Sequence, residues 1–410
     1  MDRFACRKGS CVLQLSYADG TPAAHRRIQA QQITQAFGFG CGAFDTVPLA
    51  GGDISEAERL SLGERMDKWL ELFNYGTLPF YWGRFEPERD HPQTEALMRA
   101  ALWLQARGVT VKGHTLCWHT VTAPWLTELS NEAIMQAQLE RIRRDVTDFK
   151  GVIDRWDVIN EAVIMPVFDK YDNGITRVCK QLGRVRMVKE VFAAAREANP
   201  GALLVMNDFN VSDEYQILID GCLNAGVPID VIGIQSHQHQ GYWGLTKLQE
   251  VLDRFAVFGL PLHFTENTLI SGELMPGYIE DLNDWQVSQW PTTPEGEARQ
   301  ARETVEMLDA LFAHPLVEAF TIWDHVDGKW LGAPSGVLRA DNTEKPVRTA
   351  LMRRIREDWR TRVTLETDEA GRAELSGFLG SYEIIDMQKH GRAVLTKDTH
   401  QPVQVLLEEV

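Results

Sequence analysis

The sequence lacks an apolar run of the length that a signal peptide or a membrane span requires. Its first twenty residues, MDRFACRKGSCVLQLSYADG, are interrupted by charged and polar side chains, and no later segment reaches the roughly 18 apolar residues of a spanning helix. We therefore expect a cytoplasmic protein that has no membrane partner. A signal peptide removed from the chain would instead allow secretion.

Basic residues are in the minority. The chain has 42 Lys and Arg against 58 Asp and Glu, which gives a formal net charge of −16 at pH 7. A charge of this sign repels phosphate backbones and anionic lipid headgroups. Nucleic acid is therefore not expected as a partner, and no sequence feature indicates an oligomeric state.

Cysteine is sparse and scattered. None of the six cysteines forms a CxxC pair or has the spacing of zinc ligands, so the sequence favours free buried thiols over a disulfide framework. We expect no cofactor and no bound metal ion. The six positions are Cys6, Cys11, Cys41, Cys117, Cys179 and Cys222.

What the sequence does contain is an alternation of short β-rich apolar runs with longer segments of helical period, between residues 36 and 360. Eight such units are present, and eight parallel strands with eight helices predict an α/β fold, the (β/α)8 TIM barrel. The predicted strands are FGFGCGAF from Phe37, LFNYGTL from Leu72, VTVKGHTL from Val109, RWDVIN from Arg155, LLVMNDF from Leu203, DVIGIQSH from Asp230, PLHFTEN from Pro261 and EAFTIWDH from Glu318.

The two ends of the chain have a different character. Residues 9–32 and the segment from 361 onward show period-two alternation broken by turn signals such as DG and EAG, which indicates β-hairpins. Neither end has enough strands for a stable sheet of its own. We therefore predict that residues 1–35 pair with residues 361–410 in a small β-module, beside a catalytic barrel at 36–360.

Polar side chains gather where the predicted barrel strands end. In a barrel these carboxyl ends form one rim, at which reactive groups are found. Glu161 follows strand four and Glu266 lies at the end of strand seven. Two carboxylates facing each other across a barrel mouth are the arrangement that glycoside hydrolysis requires, one to protonate the leaving oxygen and one to attack or to activate water.

Each of these residues also has a purely structural interpretation. Glu161 could cap the next helix, and Asp208 and Asp324 suit loop capping or ligand positioning better than catalysis. Tryptophans near the rim could be barrel packing or the walls on which a sugar ring stacks. Histidines could instead ligate a metal, and the four in question are His114, His119, His237 and His239.

At this point the sequence resembles glycoside hydrolase family 10, the xylanase family, over roughly residues 36–355. Six motifs occur in the order found in that family. They are GHTLCWH at Gly113, WDVINEA at Trp156, MNDFN at Met206, IDVIGIQSH at Ile229, FTEN at Phe264, and TIWD followed by Trp330.

The resemblance implies a retaining enzyme in which Glu161 is the general acid/base and Glu266 the nucleophile. It further implies that Asn160 hydrogen-bonds the 2-hydroxyl of the reacting sugar and that His237 helps to keep Glu266 ionised. The remaining substrate contacts that it implies come from His114, Trp118, Gln235, Trp323 and Trp330.

The sequence also departs from the family pattern at three places. Strand two usually carries a Glu-Asn and a Lys-Trp that hold the next sugar, whereas TLPFYWGRFEP keeps only Trp82 of these. Thr268 stands where an aspartate usually pairs with the strand-six histidine. His119-Thr120-Val121 replaces the usual His-Ser-Gln after strand three.

These departures remove contacts to the neighbouring sugar and leave those to the reacting ring. We therefore predict a retaining β-glycosidase that acts on a short or decorated glycoside rather than on polymeric xylan. The alternatives are a standard endo-β-1,4-xylanase, a catalytically silent carbohydrate-binding relative, and a metal-dependent barrel hydrolase that uses the histidines. The terminal β-module would be a clasp or a sugar-binding surface.

Overall fold

The computed structural model describes residues 2–397, 399 and 401–409. Within these ranges no helix is long and apolar enough to cross a membrane. The six cysteines are all free thiols, and five of them are buried.

The described residues form sixteen strands, most of which are largely buried on at least one face. In chain order they are β1 (Lys8–Tyr17), β2 (Arg27–Gln35), β3 (Gly38–Gly42), β4 (Tyr75–Pro79), β5 (Thr110–Cys117), β6 (Arg155–Asn160), β7 (Leu203–Asp208), β8 (Val231–Ile234), β9 (His237–Gln238), β10 (Leu262–Leu269), β11 (Val317–Ile322), β12 (Arg362–Glu366), β13 (Arg372–Phe378), β14 (Gly380–Asp386), β15 (Lys389–Leu395) and β16 (Val403–Glu409).

Helices connect these strands, and several begin at residues that the sequence marks as caps. The Ser130 hydroxyl accepts a hydrogen bond from the Ala133 amide at the start of α5. The helices are α1 (Thr46–Leu49), α2 (Glu56–Leu72), α3 (Trp82–Phe85), α4 (Thr94–Gln105), α5 (Asn131–Asp148), α6 (Gly174–Leu182), α7 (Arg184–Ala198), α8 (Asp213–Asn224), α9 (Gly244–Ala256), α10 (Pro294–Ala313) and α11 (Pro346–Met352).

Eight of the strands close into a parallel barrel, which confirms the predicted fold class. Their order around the barrel is β3-β4-β5-β6-β7-β8-β10-β11, and β11 returns to pair with β3. Each predicted strand is present, with shifted ends. Strand two begins at Tyr75 because Leu72 is still the last residue of α2, and strand six is divided into β8 and β9.

A second sheet contains strands from both ends of the chain, as the sequence predicted. Its order is β12-β2-β14-β15-β16-β1-β13. Strand β1 pairs antiparallel with β13 and parallel with β16, and β2 lies between β12 and β14. Alternate side chains on one face form a buried apolar cluster that includes Leu13, Leu15, Ile28, Leu375, Tyr382 and Leu395.

The chain divides into two compact units. The first contains the described residues of Met1–Gly38, Leu308–Pro315 and Thr349–Val410, and the second contains Phe39–Met307 and Leu316–Arg348. The second unit holds nearly all of the barrel and all of the polar residues singled out at its rim. The division at residues 36 and 361 stays a prediction.

Candidate active site

Glu161 and Glu266 lie at the carboxyl ends of the barrel strands, where a (β/α)8 fold places reactive groups. Glu161 follows directly after β6 and adopts a left-handed backbone conformation with φ 57°. Such a conformation costs free energy for a residue with a side chain and is retained where the surroundings impose it. Here the Glu161 amide donates to the Asn207 carbonyl at 2.9 Å, which fixes the turn out of the strand.

The Glu161 carboxylate is held by three neutral donors. Trp118 Nε1 donates to Oε2 at 2.8 Å, while Asn160 Nδ2 and Gln235 Nε2 each lie 3.2 Å from Oε1. The His119 ring is 3.9 Å from Oε2, but burial lowers the pKa of His119 to about 4, so this ring is neutral near pH 7.

The pKa of Glu161 is raised to about 8, chiefly by burial. The nearby carboxylates of Asp208 and Glu266 also raise it, whereas the hydrogen bonds from Trp118 and Gln235 lower it. No cation neutralises the charge of this carboxyl group among the contacts of the described residues. Glu161 is therefore protonated near pH 7, as a general acid must be.

Glu266 lies within β10, and its environment has the opposite effect. Burial alone would raise its pKa, but the neighbouring His114, the hydrogen bond from His237 and the charge of Lys112 lower it below the usual value. His237 Nε2 lies 3.3 Å from Oε2, and Asn207 Nδ2 donates to Oε1 at 2.7 Å. Glu266 is therefore ionised near pH 7, as a nucleophile must be.

A network of amide side chains joins the two carboxylates. Asn160 Oδ1 accepts from Asn207 Nδ2 at 2.7 Å and from Gln235 Nε2 at 3.0 Å. The Thr265 hydroxyl donates to Asn207 Oδ1 at 2.6 Å. Gly233 makes room for this network, because a Cβ atom there would come within 2.5 Å of Asn207 Oδ1. The network fixes the orientation of both acids before any substrate binds.

A buried ion cluster supports the floor of the site. Asp157, in the middle of β6, accepts from Lys112 Nζ at 2.6 Å and lies 2.7 Å from His114 Nδ1. The same nitrogen of His114 also lies 3.9 Å from Glu266 Oε1. Burial alone would raise the pKa of Asp157, but Lys112 and His114 lower it, so the aspartate stays charged and orients His114.

Aromatic rings enclose the site. Trp323 packs edge-to-face on His114 with ring centroids 5.2 Å apart, and Trp330 lies over His237 at 4.4 Å. On the strand-two side the Tyr81 ring lies 5.6 Å from His114 and 5.7 Å from Trp118. Flat apolar walls of this kind suit the faces of a pyranose ring.

The side chains at the end of strand two are largely apolar and buried. Leu78 and Phe80 are completely buried. Trp82, the family residue that this chain keeps, is buried as well; its Nε1 donates to Glu86 at 3.1 Å and its ring packs on Trp125. Tyr81 is the strand-two side chain that borders the two carboxylates.

The structure brings all nine predicted site residues together at one rim. Glu161, Glu266, His114, Trp118, Asn160, Gln235 and His237 share direct contacts, and Trp323 and Trp330 pack on the histidines. Sequence reasoning missed the roles of Asn207, Tyr81 and Asp157. The signal for Asp157 was available, since a carboxylate inside a buried strand needs a charged or polar partner.

The two other acids near the rim serve loops. Asp208 accepts from the backbone amides of Val163 and Asn210 at 3.0 Å, and Asp324 accepts from the Ser335 hydroxyl at 2.7 Å. Burial raises the pKa of each to about 7. Among the described residues, no three His, Cys, Asp or Glu side chains are arranged to hold a metal ion.

Comparison with known protein families identifies one match. The family model "Glycosyl hydrolase family 10" matches residues 80–353, which contain every residue of the site. Endo-1,4-beta-xylanase B of Thermotoga neapolitana is 31% identical over 256 residues, a region that covers 58% of this chain and 68% of that protein. An endo-1,4-beta-xylanase/feruloyl esterase of Xylanibacter ruminicola is 28% identical over 227 residues, which is 46% of this chain and 31% of that longer protein.

Solved structures show the same fold. The GH10 structure from Paenibacillus barcinonensis aligns with a TM-score of 0.63 at 22% identity, covering 78% of this chain and 94% of that one. Xylanase 10B from Thermotoga petrophila in complex with xylobiose aligns with a TM-score of 0.63 at 21% identity, covering 79% and 95%.

Proposed function

The chain belongs to glycosyl hydrolase family 10 and is a retaining glycoside hydrolase, and from this premise we propose that Glu161 is its general acid/base and Glu266 its nucleophile. The observation that carries the assignment is the opposite effect of one site on two glutamates. The site holds Glu161 protonated near pH 7 and Glu266 ionised. Two carboxyl groups with separated pKa values are the requirement for acid and nucleophile in one reaction.

In the first step the Glu266 carboxylate attacks the anomeric carbon while the Glu161 proton passes to the glycosidic oxygen. The bond to the leaving group breaks, and a covalent glycosyl ester of Glu266 forms. Asn207 and His237 hold the Glu266 oxygens, which directs the carboxylate at the reacting carbon. Trp118 and Gln235 hold Glu161 on the leaving-group side.

In the second step Glu161, now a carboxylate, accepts a proton from a water molecule that attacks the anomeric carbon. The ester bond to Glu266 breaks, and the sugar leaves with its original anomeric configuration. In this mechanism Asn160, whose side chain contacts Glu161 and Asn207, hydrogen-bonds the 2-hydroxyl of the reacting sugar. That contact strengthens as positive charge develops on the ring.

We further propose that the substrate is a short or decorated β-glycoside. Beyond the reacting sugar the strand-two end offers Tyr81, with Leu78 and Phe80 buried behind it and Trp82 engaged with Glu86. An apolar surface cannot replace the hydrogen bonds that hold a second sugar, and unmatched sugar hydroxyls would lose their water there. Long chains therefore gain little binding energy on this side.

A standard endo-β-1,4-xylanase is the second candidate. It is favoured by the relatives, because the Thermotoga neapolitana protein carries that name and matches over more than half of this chain. The two candidates differ in the number of sugars bound beyond the cleaved bond. The dependence of the hydrolysis rate on substrate length therefore distinguishes them.

The test compares 4-nitrophenyl β-xyloside, β-glucoside, β-xylobioside, β-cellobioside and β-glucuronide with polymeric xylan. We expect faster turnover of a short glycoside than of xylan, abolished by Glu161→Ala or Glu266→Ala and unaffected by a chelator. Equal or faster hydrolysis of polymeric xylan would establish the endo-xylanase instead. Activity lost on chelation would contradict the two-glutamate mechanism, and a folded wild type inactive on every substrate would support a silent relative.

A further inference from the structure

The nucleophile is connected to a second histidine through a threonine hydroxyl. His237 Nε2 lies 3.3 Å from Glu266 Oε2, and the other ring nitrogen, Nδ1, lies 3.2 Å from Thr268 Oγ1. The same hydroxyl lies 3.2 Å from His239 Nδ1. Thr268 and His239 are completely buried, so this series of contacts is shielded from solvent.

Strand register produces the arrangement. Glu266 and Thr268 are two residues apart on β10 and therefore point to the same face. His237 pairs directly with Thr268 where β9 runs parallel to β10. His237 and His239 are also two residues apart, so both rings can meet the one hydroxyl.

The hydroxyl of Thr268 has three hydrogen-bond partners, the largest number that it can have. A threonine hydroxyl donates one hydrogen bond and accepts two. The backbone amide of Gln238, at 3.3 Å, can only donate to it. One of the two histidine nitrogens must therefore donate to the hydroxyl and the other must accept from it.

The charge of Glu266 determines which histidine donates to the Thr268 hydroxyl and which accepts from it. The Glu266 carboxylate can only accept, so His237 must carry a proton on Nε2. A neutral His237 then has a lone pair on Nδ1, which accepts from the Thr268 hydroxyl. That leaves His239 to donate from Nδ1 to Thr268. Every dipole in the series then points towards the nucleophile.

The surroundings of His239 agree with this assignment. Burial lowers the pKa of His239 to about 3, so the ring is neutral. Its Nε2 atom is buried and has no hydrogen-bond partner among the described residues. The ring packs on Trp330 and Trp290, with centroids 5.0 Å and 5.8 Å away. The hydrogen bond between His239 Nδ1 and Thr268 is therefore the polar contact that holds this buried ring.

We propose that Thr268 and His239 are positioning residues that keep a proton of His237 on Nε2, facing Glu266. The inference rests on the proposed nucleophile. It assigns a function to Thr268: a hydroxyl that accepts a proton from His239 donates its own to His237 Nδ1, so the proton of His237 stays on Nε2.

The first test uses paired substitutions on the panel glycoside that wild type hydrolyses fastest. Thr268→Val and His239→Leu remove the contacts; Thr268→Ser keeps the hydroxyl, and His239→Asn keeps a donor near the position of Nδ1. We expect roughly 10- to 100-fold lower kcat with little change in KM for the first pair, and values near wild type for the second. The double variant Thr268→Val/His239→Leu should be no worse than the worse single one.

The pH dependence of kcat/KM separates positioning from structural damage. The ionisable groups that face Glu266 are His114, His237, Glu161, Tyr81 and Lys112, and those other than His237 are unchanged in these variants. Loss of the hydroxyl frees His237 to turn its lone pair to Glu266, which raises the pKa of the nucleophile and moves the acid limb to higher pH. Thr268→Asp should move that limb to lower pH.

A measurement that does not depend on activity completes the test. Ring 15N shifts of labelled histidine report which nitrogen carries the proton. We expect an unprotonated Nδ1 in His237 and an unprotonated Nε2 in His239. The reverse tautomers, an unmoved acid limb in Thr268→Val, or His239→Asn as impaired as His239→Leu would overturn the proposal. Activity retained in Glu266→Ala would instead overturn the nucleophile assignment, whatever the tautomers.

Discussion

Two glutamates separated by a few amide side chains differ in charge because their neighbours differ. Glu161 receives hydrogen bonds from neutral groups only, so burial determines its protonation. Glu266 has histidines and, further away, Lys112 around it, and their effect exceeds that of burial. The same fold thus holds one glutamate protonated and another ionised near pH 7.

The first prediction concerns the pH dependence of kcat/KM. Glu161 must be protonated to act as the acid, and its pKa is about 8, so activity should fall as pH rises through about 8. Glu266 must be ionised, and its lowered pKa places the acid limb below the pH at which an ordinary glutamate ionises. The profile of a 4-nitrophenyl glycoside checks both limbs. A basic limb that survives in Glu161→Gln would contradict the assignment.

The second prediction tests one hydrogen bond to the acid. Trp118 Nε1 lowers the pKa of Glu161, so Trp118→Phe should raise that pKa and move the basic limb upward by about one pH unit. Trp125→Phe is the matched control, because it also removes an indole donor, one bound to the Glu86 carbonyl. Equal shifts in the two variants would show that the hydrogen bond is not the cause.

The positions of the site residues could be predicted from the sequence, but most of the contacts between their side chains could not. Side chains that end strands, such as Glu161 and Gln235, could be predicted because strand ends converge. Asn207 was recognised as a polar strand end, but its bond to Glu266 depends on the rotation of β7 and on the space above Gly233. The contact between Thr268 and two histidines depends on the register of β9, which two residues of sequence do not define.

At the scale of elements, the loops after β6 and β10 are joined by one lysine. Lys170 Nζ lies 2.7 Å from Asp281 Oδ2 and 2.6 Å from Asp284 Oδ1. Lys170 follows the strand that presents Glu161, and the two aspartates follow the strand that contains Glu266. This ion triad therefore connects the loops on the two catalytic strands.

The third prediction is that Lys170→Met loosens the loop at 270–293 without unfolding the barrel. The triad is partly exposed, so the free energy of unfolding should change by less than about 1 kcal/mol. Chymotrypsin cleavage after Tyr278 or Trp285 should become several-fold faster, as judged by mass spectrometry. Arg143→Met, which breaks the exposed pair with Glu197, is the control and should leave cleavage unchanged.

Periodicity predicted the elements because local and long-range requirements coincide in a barrel. Helix α5, for example, begins at Asn131, directly after the serine that caps it. The β8–β9 interruption was not foreseen, since Gln235 and Ser236, at which the strand is divided, contain no glycine or proline turn signal. Loop conformation, which decides how Tyr81 faces the acids, has no periodic signal.

At the scale of the whole molecule, residues far apart in sequence complete one sheet. Leu13 of β1 and Leu375 of β13 lie in the same buried cluster, although more than 300 residues separate them. The sequence predicted this pairing because neither end had enough strands alone. It gave no strand order, because several orders would bury the same apolar face.

The fourth prediction concerns the stability of this sheet. Leu375→Ala removes a completely buried side chain and should destabilise the unit by about 2–5 kcal/mol. Val394→Ala, in the same sheet but 53% exposed, should change stability by less than about 0.5 kcal/mol. Denaturant unfolding measures both. Equal effects would show that the apolar cluster is not what holds the sheet together.

Substrate length, cytoplasmic location and the domain boundaries stay predictions. The net charge of −16 belongs to the whole molecule and makes a weak interaction with polyanions the expected result.

Trapping of the glycosyl-enzyme identifies the nucleophile directly. A 2,4-dinitrophenyl 2-deoxy-2-fluoro-β-glycoside of the preferred sugar forms the covalent intermediate but slows its hydrolysis, because fluorine disfavours the positively charged transition state. Peptide mass spectrometry then locates the label. We expect one sugar per chain, on Glu266, and none in Glu266→Ala. A label on another residue, or turnover with no covalent intermediate, would contradict this assignment.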